Sequence, residues 1–339
     1  MAFLFSLLLC LVGFTDGSRL YAAAYSPCIA PASDRALIPV GKAIGIKLFS
    51  DGILVVDLEE GSPAAALLKK GDFLLSVNGT PIRSTEHFQE LLQTCRGEAV
   101  TLGIRRGEKQ KTISITPVEE SDGRHIGAYV RDSMAGIGTL SYIDPLTGEF
   151  AALGHSINDV DTGLVMTLSG GSITDATVTA VQKGVCGAPG QLKGSFDQSC
   201  ELGTLRDNND CGVFGTMENN TLSFGTAVPV ADRSEVRKGP AEILSEIDEN
   251  GVQAYSVEIS DIYPLSGKTR NLLITVTDKR LLEKTGGIVQ GMSGSPILQD
   301  GKLIGAVTHV LVNDASKGYG IFIENMLSAE AGTDSRNIA

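Results

Sequence analysis

The sequence predicts a mainly β protein of about two domains, and three observations carry that expectation. Its 339 residues exceed the roughly 150 of an average single domain. Forty glycines beside only 5% aromatic residues require many turns. Short apolar runs, as at 127–130, 137–143, 164–168 and 177–181, recur between Gly and Asp-Pro breaks without long helical periods between them. That pattern fits a sandwich or barrel and disfavours a parallel α/β sheet.

Charge and cysteine usage narrow the function classes. Forty acidic against 28 basic residues give a net charge of -12, a field that repels phosphate backbones, so nucleic acid is not an expected partner. Cys10, Cys28, Cys95, Cys186, Cys200 and Cys211 form no C-x-x-C pair and none lies near a His at ligand spacing. No metal site and no cofactor are therefore expected. The cysteines read mostly as buried small hydrophobes, with a Cys186–Cys211 disulfide as the alternative in an oxidising compartment.

The elements follow in order. Residues 2–14, AFLFSLLLCLVGF, are too few to span a bilayer as a helix, and Ala22, Ala23 and Ala24 offer a small-residue cleavage pattern. Residues 1–24 thus read as a signal peptide or membrane-targeting segment of an exported chain, and the missing basic flank places the true start upstream. Residues 25–43 read as a linker. From Ile44 to Pro117 the sequence reads as one module. It has an apolar run at 53–56, a short helix opened by Ser62 and Pro63 and stopped by Gly71, and a strand at 73–77 running into the Asn78-Gly79 turn. A second helix follows, capped by Ser84 with Phe88, Leu91 and Leu92 on one face, then strands near 100–104 and 112–115.

This order, with the passage GSPAAALLKKGDFLLSVNGTPI, resembles a PDZ domain of the bacterial protease-associated kind. The resemblance implies a peptide or C-terminal ligand bound as an added strand beside the second helix. Ile44, Gly45 and Ile46 would form the loop that turns amides toward its carboxylate. Val118 to Arg124 reads as a second linker, residues 125–330 as the second domain with one helix at Pro240–Glu246, and 331–339 as a tail.

The chemistry lies in the second domain. Gly291-Met292-Ser293-Gly294-Ser295-Pro296 is similar to the nucleophile loop of chymotrypsin-like serine proteases, which implies a double β-barrel after the PDZ domain. Ser293 would be the nucleophile and the amides of Gly291 and Ser293 the oxyanion hole. A hairpin turning at Asp300-Gly301 would end in Thr308, His309 and Val310, which would pair with substrate backbone. Of the four histidines, His87 lies on the PDZ-like helix, His125 beside the linker and His309 on the substrate strand, leaving His155 as the general base. Asp159, Asp161, Asp261, Asp278 and Asp314 all remain possible acids, since spacing alone does not choose among them.

GTLSYIDPLTGEFAALGHSINDVDTG together with the stretch from TDKRLLEKTGGIVQGMSGSPILQ to IFIENML resembles the SpoIVB peptidases of endospore-forming Firmicutes, over about residues 36–330. That resemblance implies a secreted signalling serine peptidase, acting between forespore and mother cell. It would cleave itself and a membrane-anchored regulatory protein of the pro-sigma-K processing complex. It also implies Asp278 as the third member beside His155 and Ser293. A peptide-binding scaffold without catalysis is the competing reading, disfavoured because both His155 and the serine loop are retained.

Overall fold

The computed structural model describes residues 35–95, 99–121, 123–218, 225–264 and 269–334. The segment 1–24 and both Cys10 and Cys28 lie outside them. Two strands open the fold, β1 (Ala36–Pro39) and β2 (Ala43–Leu58). After them come β3 (Phe73–Val77), β4 (Thr80–Pro81), α1 (Thr85–Thr94), β5 (Val100–Arg106) and β6 (Lys109–Ile115). Strands β7 (Val118–Glu120) and β8 (Gly123–His125) form a small ladder of their own. The stretch expected as a linker is therefore a hairpin.

The first barrel takes β9 (Ala128–Ile143), β10 (Glu149–Ala152), β11 (Leu168–Gln182), β12 (Gln191–Asn209) and β13 (Gly212–Met217). It closes because β2 pairs with β11 on one edge and β9 on the other. After β14 (Val228–Pro229), which pairs with β1, the second barrel follows. It consists of β15 (Gly239–Glu246), β16 (Val252–Ile262), β17 (Leu272–Val276), β18 (Pro296–Gln299), β19 (Lys302–Leu311) and β20 (Asp314–Phe322), with α2 (Lys279–Thr285) between β17 and β18. A last helix, α3 (Ile323–Asp334), joins Met326 and Leu327 to Leu37, Tyr142 and Phe214 of the first barrel and Leu303 of the second. Each such apolar side chain, fully buried, contributes about 1.5–3 kcal/mol.

The mainly β, PDZ-plus-double-barrel expectation holds, with one change in how the parts share the chain. Strand β2 runs through both units: residues 43–49 close the barrel, Ile53 and Leu54 pair with β3 in the PDZ sheet, and 54–58 continue along β9. Between them the register against β9 jumps from Phe49↔Ser133 to Leu54↔Arg131, and the Ser50 hydroxyl bridges the gap by donating to the Asp132 carbonyl at 3.1 Å. The PDZ unit is thus inserted into the first barrel, and β1 and β2 belong to the barrel although they precede it.

Two corrections follow. Ile44, Gly45 and Ile46 do not form a ligand loop. They sit inside β2 with both edges paired, Ile44 and Ile46 are buried, and a Cβ on Gly45 would lie 2.4 Å from the Phe196 ring. Pro240–Glu246 is strand, not helix, because Ala241, Ile243 and Ser245 alternate inward at the period of two that a strand requires. Between the expected Ser62 cap and Gly71 the chain makes successive turns, with Ala65 N donating to Ser62 Oγ at 3.2 Å. The Asn78-Gly79 and Asp300-Gly301 turns form as expected, each with positive φ at both positions.

Candidate active site

A cleft of about 770 Å³ lies between the barrels, lined by His155 and Leu153 from the first and by Gly291, Ser293, Thr308 and His309 from the second. Each arrives there for a local reason. The turn after β10 places Leu153 and Gly154 at positive φ, which reverses the chain and turns His155 into the cleft. Asn208 holds the following loop, accepting from Ile157 N at 2.7 Å and donating to the carbonyls of Ile157 and Met166. The serine loop joins α2 to β18. Gly294 has φ +98°, and a Cβ there would lie 2.1 Å from the Thr139 carbonyl, so only glycine fits.

The two serines of the loop have different surroundings. Ser295 is fully buried and donates to Ser245 Oγ at 3.1 Å. Ser293 is half-buried on the cleft wall, and its hydroxyl donates to the Thr308 carbonyl at 2.7 Å. The Gly291 and Ser293 amides donate to no acceptor among the described residues. Leu192 N donates to the Gln290 carbonyl at 2.8 Å and Ser295 N to the Met292 carbonyl at 3.0 Å. In a trans peptide the next N–H points opposite to the carbonyl, so these bonds turn the Gly291 and Ser293 amides away from β12 and from the loop interior.

His155 Nδ1 lies 2.8 Å from the Ser156 carbonyl, an acceptor only, so this nitrogen carries the proton and Nε2 holds the lone pair. Burial lowers the imidazole below its ordinary value of 6.5, opposed by the Ser156 carbonyl. The His309 ring stands 5.0 Å away, centroid to centroid, tilted by 37°. Burial first, then the charges on His155 and Arg270, lower His309 to about 4, and its buried Nδ1 has no hydrogen-bond partner among the described residues. Thr308 and Val310 line the same wall.

Asp278 is not brought to the imidazole. It is the N-cap of α2, accepting from Arg280 N and Leu281 N, and it pairs with the Arg280 guanidinium at 2.8 Å, which lowers it to about 2. Asp159 and Asp161 bind Arg131, Asp261 binds Lys238 at 2.7 Å, and Asp314 turns to Ser316 and Lys317. None of the five accepts from His155. The orienting acceptor is the Ser156 carbonyl, which no residue-type pattern reveals. The cap role of Asp278 was visible in the sequence, since Asp precedes KRLLEKT and Gly286 follows it. The alternative Cys186–Cys211 disulfide is absent, and among the described cysteines the expected burial holds for Cys211 but not for Cys186 and Cys200, which are exposed. Cys186 sits exposed on the β11–β12 turn with Sγ 3.3 Å from the Asn313 carbonyl, whereas Cys211 is buried behind the first barrel.

Known proteins resemble parts of this chain. The chain is 37% identical over 73 residues, 21% of its length, to the "Probable periplasmic serine endoprotease DegP-like" of Chlamydia trachomatis serovar D, covering 15% of that protein. A protein of the same description from Chlamydia muridarum is 37% identical over 68 residues, 20% of this chain and 14% of that one. The chain therefore spans about a seventh of the length of these curated relatives. Among solved structures, the PDZ domain of the SdrC-like protein Lmo2051 of Listeria monocytogenes shows 24% identity over 24% of this chain and 87% of that one, with a TM-score of 0.23. The active form of the Rv3671c protease of M. tuberculosis shows 16% identity over 59% of this chain and 75% of that one, with a TM-score of 0.33. Two family profiles match, a PDZ domain at residues 54–106 and SpoIVB peptidase S55 at residues 122–327. The second covers more than half of the chain, which therefore carries a PDZ domain and belongs to the SpoIVB peptidase S55 family.

Proposed function

We propose that the chain is an endopeptidase with Ser293 as nucleophile and His155 as general base. The single observation that carries this is their convergence on one inter-barrel cleft, while the neighbouring Ser295 is sealed in the core. The Ser293 hydroxyl turns from the Thr308 carbonyl toward His155 Nε2, a change of one side-chain torsion. Its proton passes to Nε2 as Oγ attacks the scissile carbonyl, and the Gly291 and Ser293 amides receive the developing oxyanion. The imidazolium then protonates the leaving amine, and water repeats the sequence on the acyl-enzyme. The cleft walls include Ile137, Leu192, Phe196 and Val289, and among the described residues the lining holds Lys193 and no carboxylate, which suits an apolar substrate side chain and disfavours a basic one.

The PDZ ligand site belongs in the groove between α1 and the start of β9. This space of about 220 Å³ is lined by Phe88, Gln89 and Leu92 on one side and by Ile126 to Tyr129 on the other. Glu59 and Glu120 border it, which suits a neutral or basic segment over a terminal carboxylate. The family and the periplasmic name of the curated relatives support an exported peptidase. The sporulation reading, self-cleavage and cleavage of a membrane-anchored regulator that leads to pro-sigma-K processing, rests on the family resemblance alone. The test is fluorophosphonate labelling of the full chain: wild type and Ser295→Ala label, and Ser293→Ala does not. Labelling of Ser293→Ala would overturn the assignment.

A further inference from the structure

The serine loop must hold two amides toward the cleft without letting either peptide plane turn over, and one side chain outside the expected set reaches it. Thr139, on β9, is 1% exposed. Its Oγ1 donates to the Gly291 carbonyl at 2.7 Å, and its backbone N donates to the Ser293 carbonyl at 3.1 Å. Its own carbonyl accepts from Leu153 N at 3.3 Å, two residues before His155.

We propose that Thr139 is a positioning residue for the oxyanion turn, acting on Gly291 through its hydroxyl. The inference rests on the reading of Ser293 and the Gly291 amide given above. Gly291 has φ +99° and no side chain to resist rotation, so its N–H direction depends on what holds the planes on either side. Leu192 holds the Gln290 carbonyl on the N-terminal side, and Thr139 Oγ1 holds the Gly291 carbonyl on the C-terminal side. Without the hydroxyl, the Gly291 carbonyl is left without this donor inside the barrel interface. That plane, still held at its Met292 N–H by the Val289 carbonyl at 3.1 Å, then pivots about this bond, and the change in the Gly291 torsions tilts the neighbouring plane whose N–H must meet the oxyanion. Ground-state binding along the cleft walls does not use that amide, so the loss belongs to the chemical step.

The test compares Thr139→Val, which keeps the shape and removes the donor, with Thr139→Ser, which keeps the donor, on hydrolysis of a small chromogenic ester by the full chain. Thr139→Val should lose roughly 10- to 100-fold in kcat with KM within about twofold, below the loss for deleting an oxyanion donor outright. Thr139→Ser should stay within about threefold of wild type. In every folded variant a peptide aldehyde, which forms the oxyanion, should lose affinity in step with kcat, while the matching peptide alcohol should not. If Thr139→Val does not fold, the aldehyde-to-alcohol ratio is read on Thr139→Ala. Wild-type kcat in Thr139→Val, equal impairment of the Ser variant, or equal loss of aldehyde and alcohol binding overturns the proposal. Failure of the underlying reading shows separately, as activity surviving in Ser293→Ala.

Discussion

Ser293 and Ser295 stand two positions apart in one loop, yet their surroundings separate their fates. Ser295→Ala should keep fluorophosphonate labelling and lower the melting temperature, since it leaves Ser245 Oγ without its partner at 3.1 Å in the core. As the proposed general base, His155 should set the acid limb of activity. Its pKa is lowered by burial, so the neutral base persists below the ordinary 6.5, and kcat/KM should fall only as pH drops through that lowered value. An acid limb above 6.5, measured on the ester, would show an imidazole stabilised in its charged form by a carboxylate. Asp278 acts on stability. Its folded pKa of about 2 lies below the unfolded carboxyl, so its contribution is complete above the unfolded value and is lost as pH falls toward 2. Asp278→Asn keeps an N-cap acceptor but gives up the Arg280 ion pair, and it should melt slightly earlier with kcat nearly unchanged. Asp278→Ala should cost about 1 kcal/mol by losing the cap. A fall in kcat of several orders for Asp278→Asn at unchanged stability would return it to the catalytic set.

At the scale of elements, β2 decides most. Its stretch AIGIKLFSDGILVVDL reads in sequence as a loop at Ile44–Ile46 and an apolar run at 53–56, and only the pairing shows that the first half is an interior strand of a barrel. Gly45→Val should therefore destabilise the whole chain, by about 1–3 kcal/mol or more, because the added carbons meet Phe196. Denaturant melts should show the loss, and ester and protein substrates should suffer alike. Selective loss on protein substrates alone would point back to a ligand loop at this position. The helix α1 was legible down to its cap, with His87 N donating to Ser84 Oγ at 3.1 Å, since capping and a Phe88–Leu92 face are local events.

For the whole molecule, the PDZ unit interrupts a barrel. A chain beginning at residue 118 lacks β2, which stands between β9 and β11, and both strands would be left with open edges in the barrel wall. Such a chain should show no cooperative melt by circular dichroism and no probe labelling. Labelling at the wild-type rate would mean that the barrel closes without β2. Strand β9 also runs unbroken from the α1 groove, at Ala128 and Tyr129, to Thr139 under the serine loop. A basic peptide titrated into the full chain should change kcat on the small ester, and an unchanged kcat would confine the groove to recruiting substrate.

By itself the sequence determined the β-rich class, the PDZ-like unit, the hairpin turns at Asn78-Gly79 and Asp300-Gly301, and the pairing of the GMSGSP loop with His155. All of these rest on short-range physics: backbone torsions that favour Gly and Asn, capping oxygens, and residue types that only one chemistry needs together. Tertiary structure alone decided that β2 belongs to two units, that the Ser156 carbonyl supplies the acceptor for His155, and that Thr139 reaches the Gly291 carbonyl. Each of these joins residues through strand pairing or through a backbone carbonyl, and neither pairing partners nor carbonyl directions are written in residue type or local period.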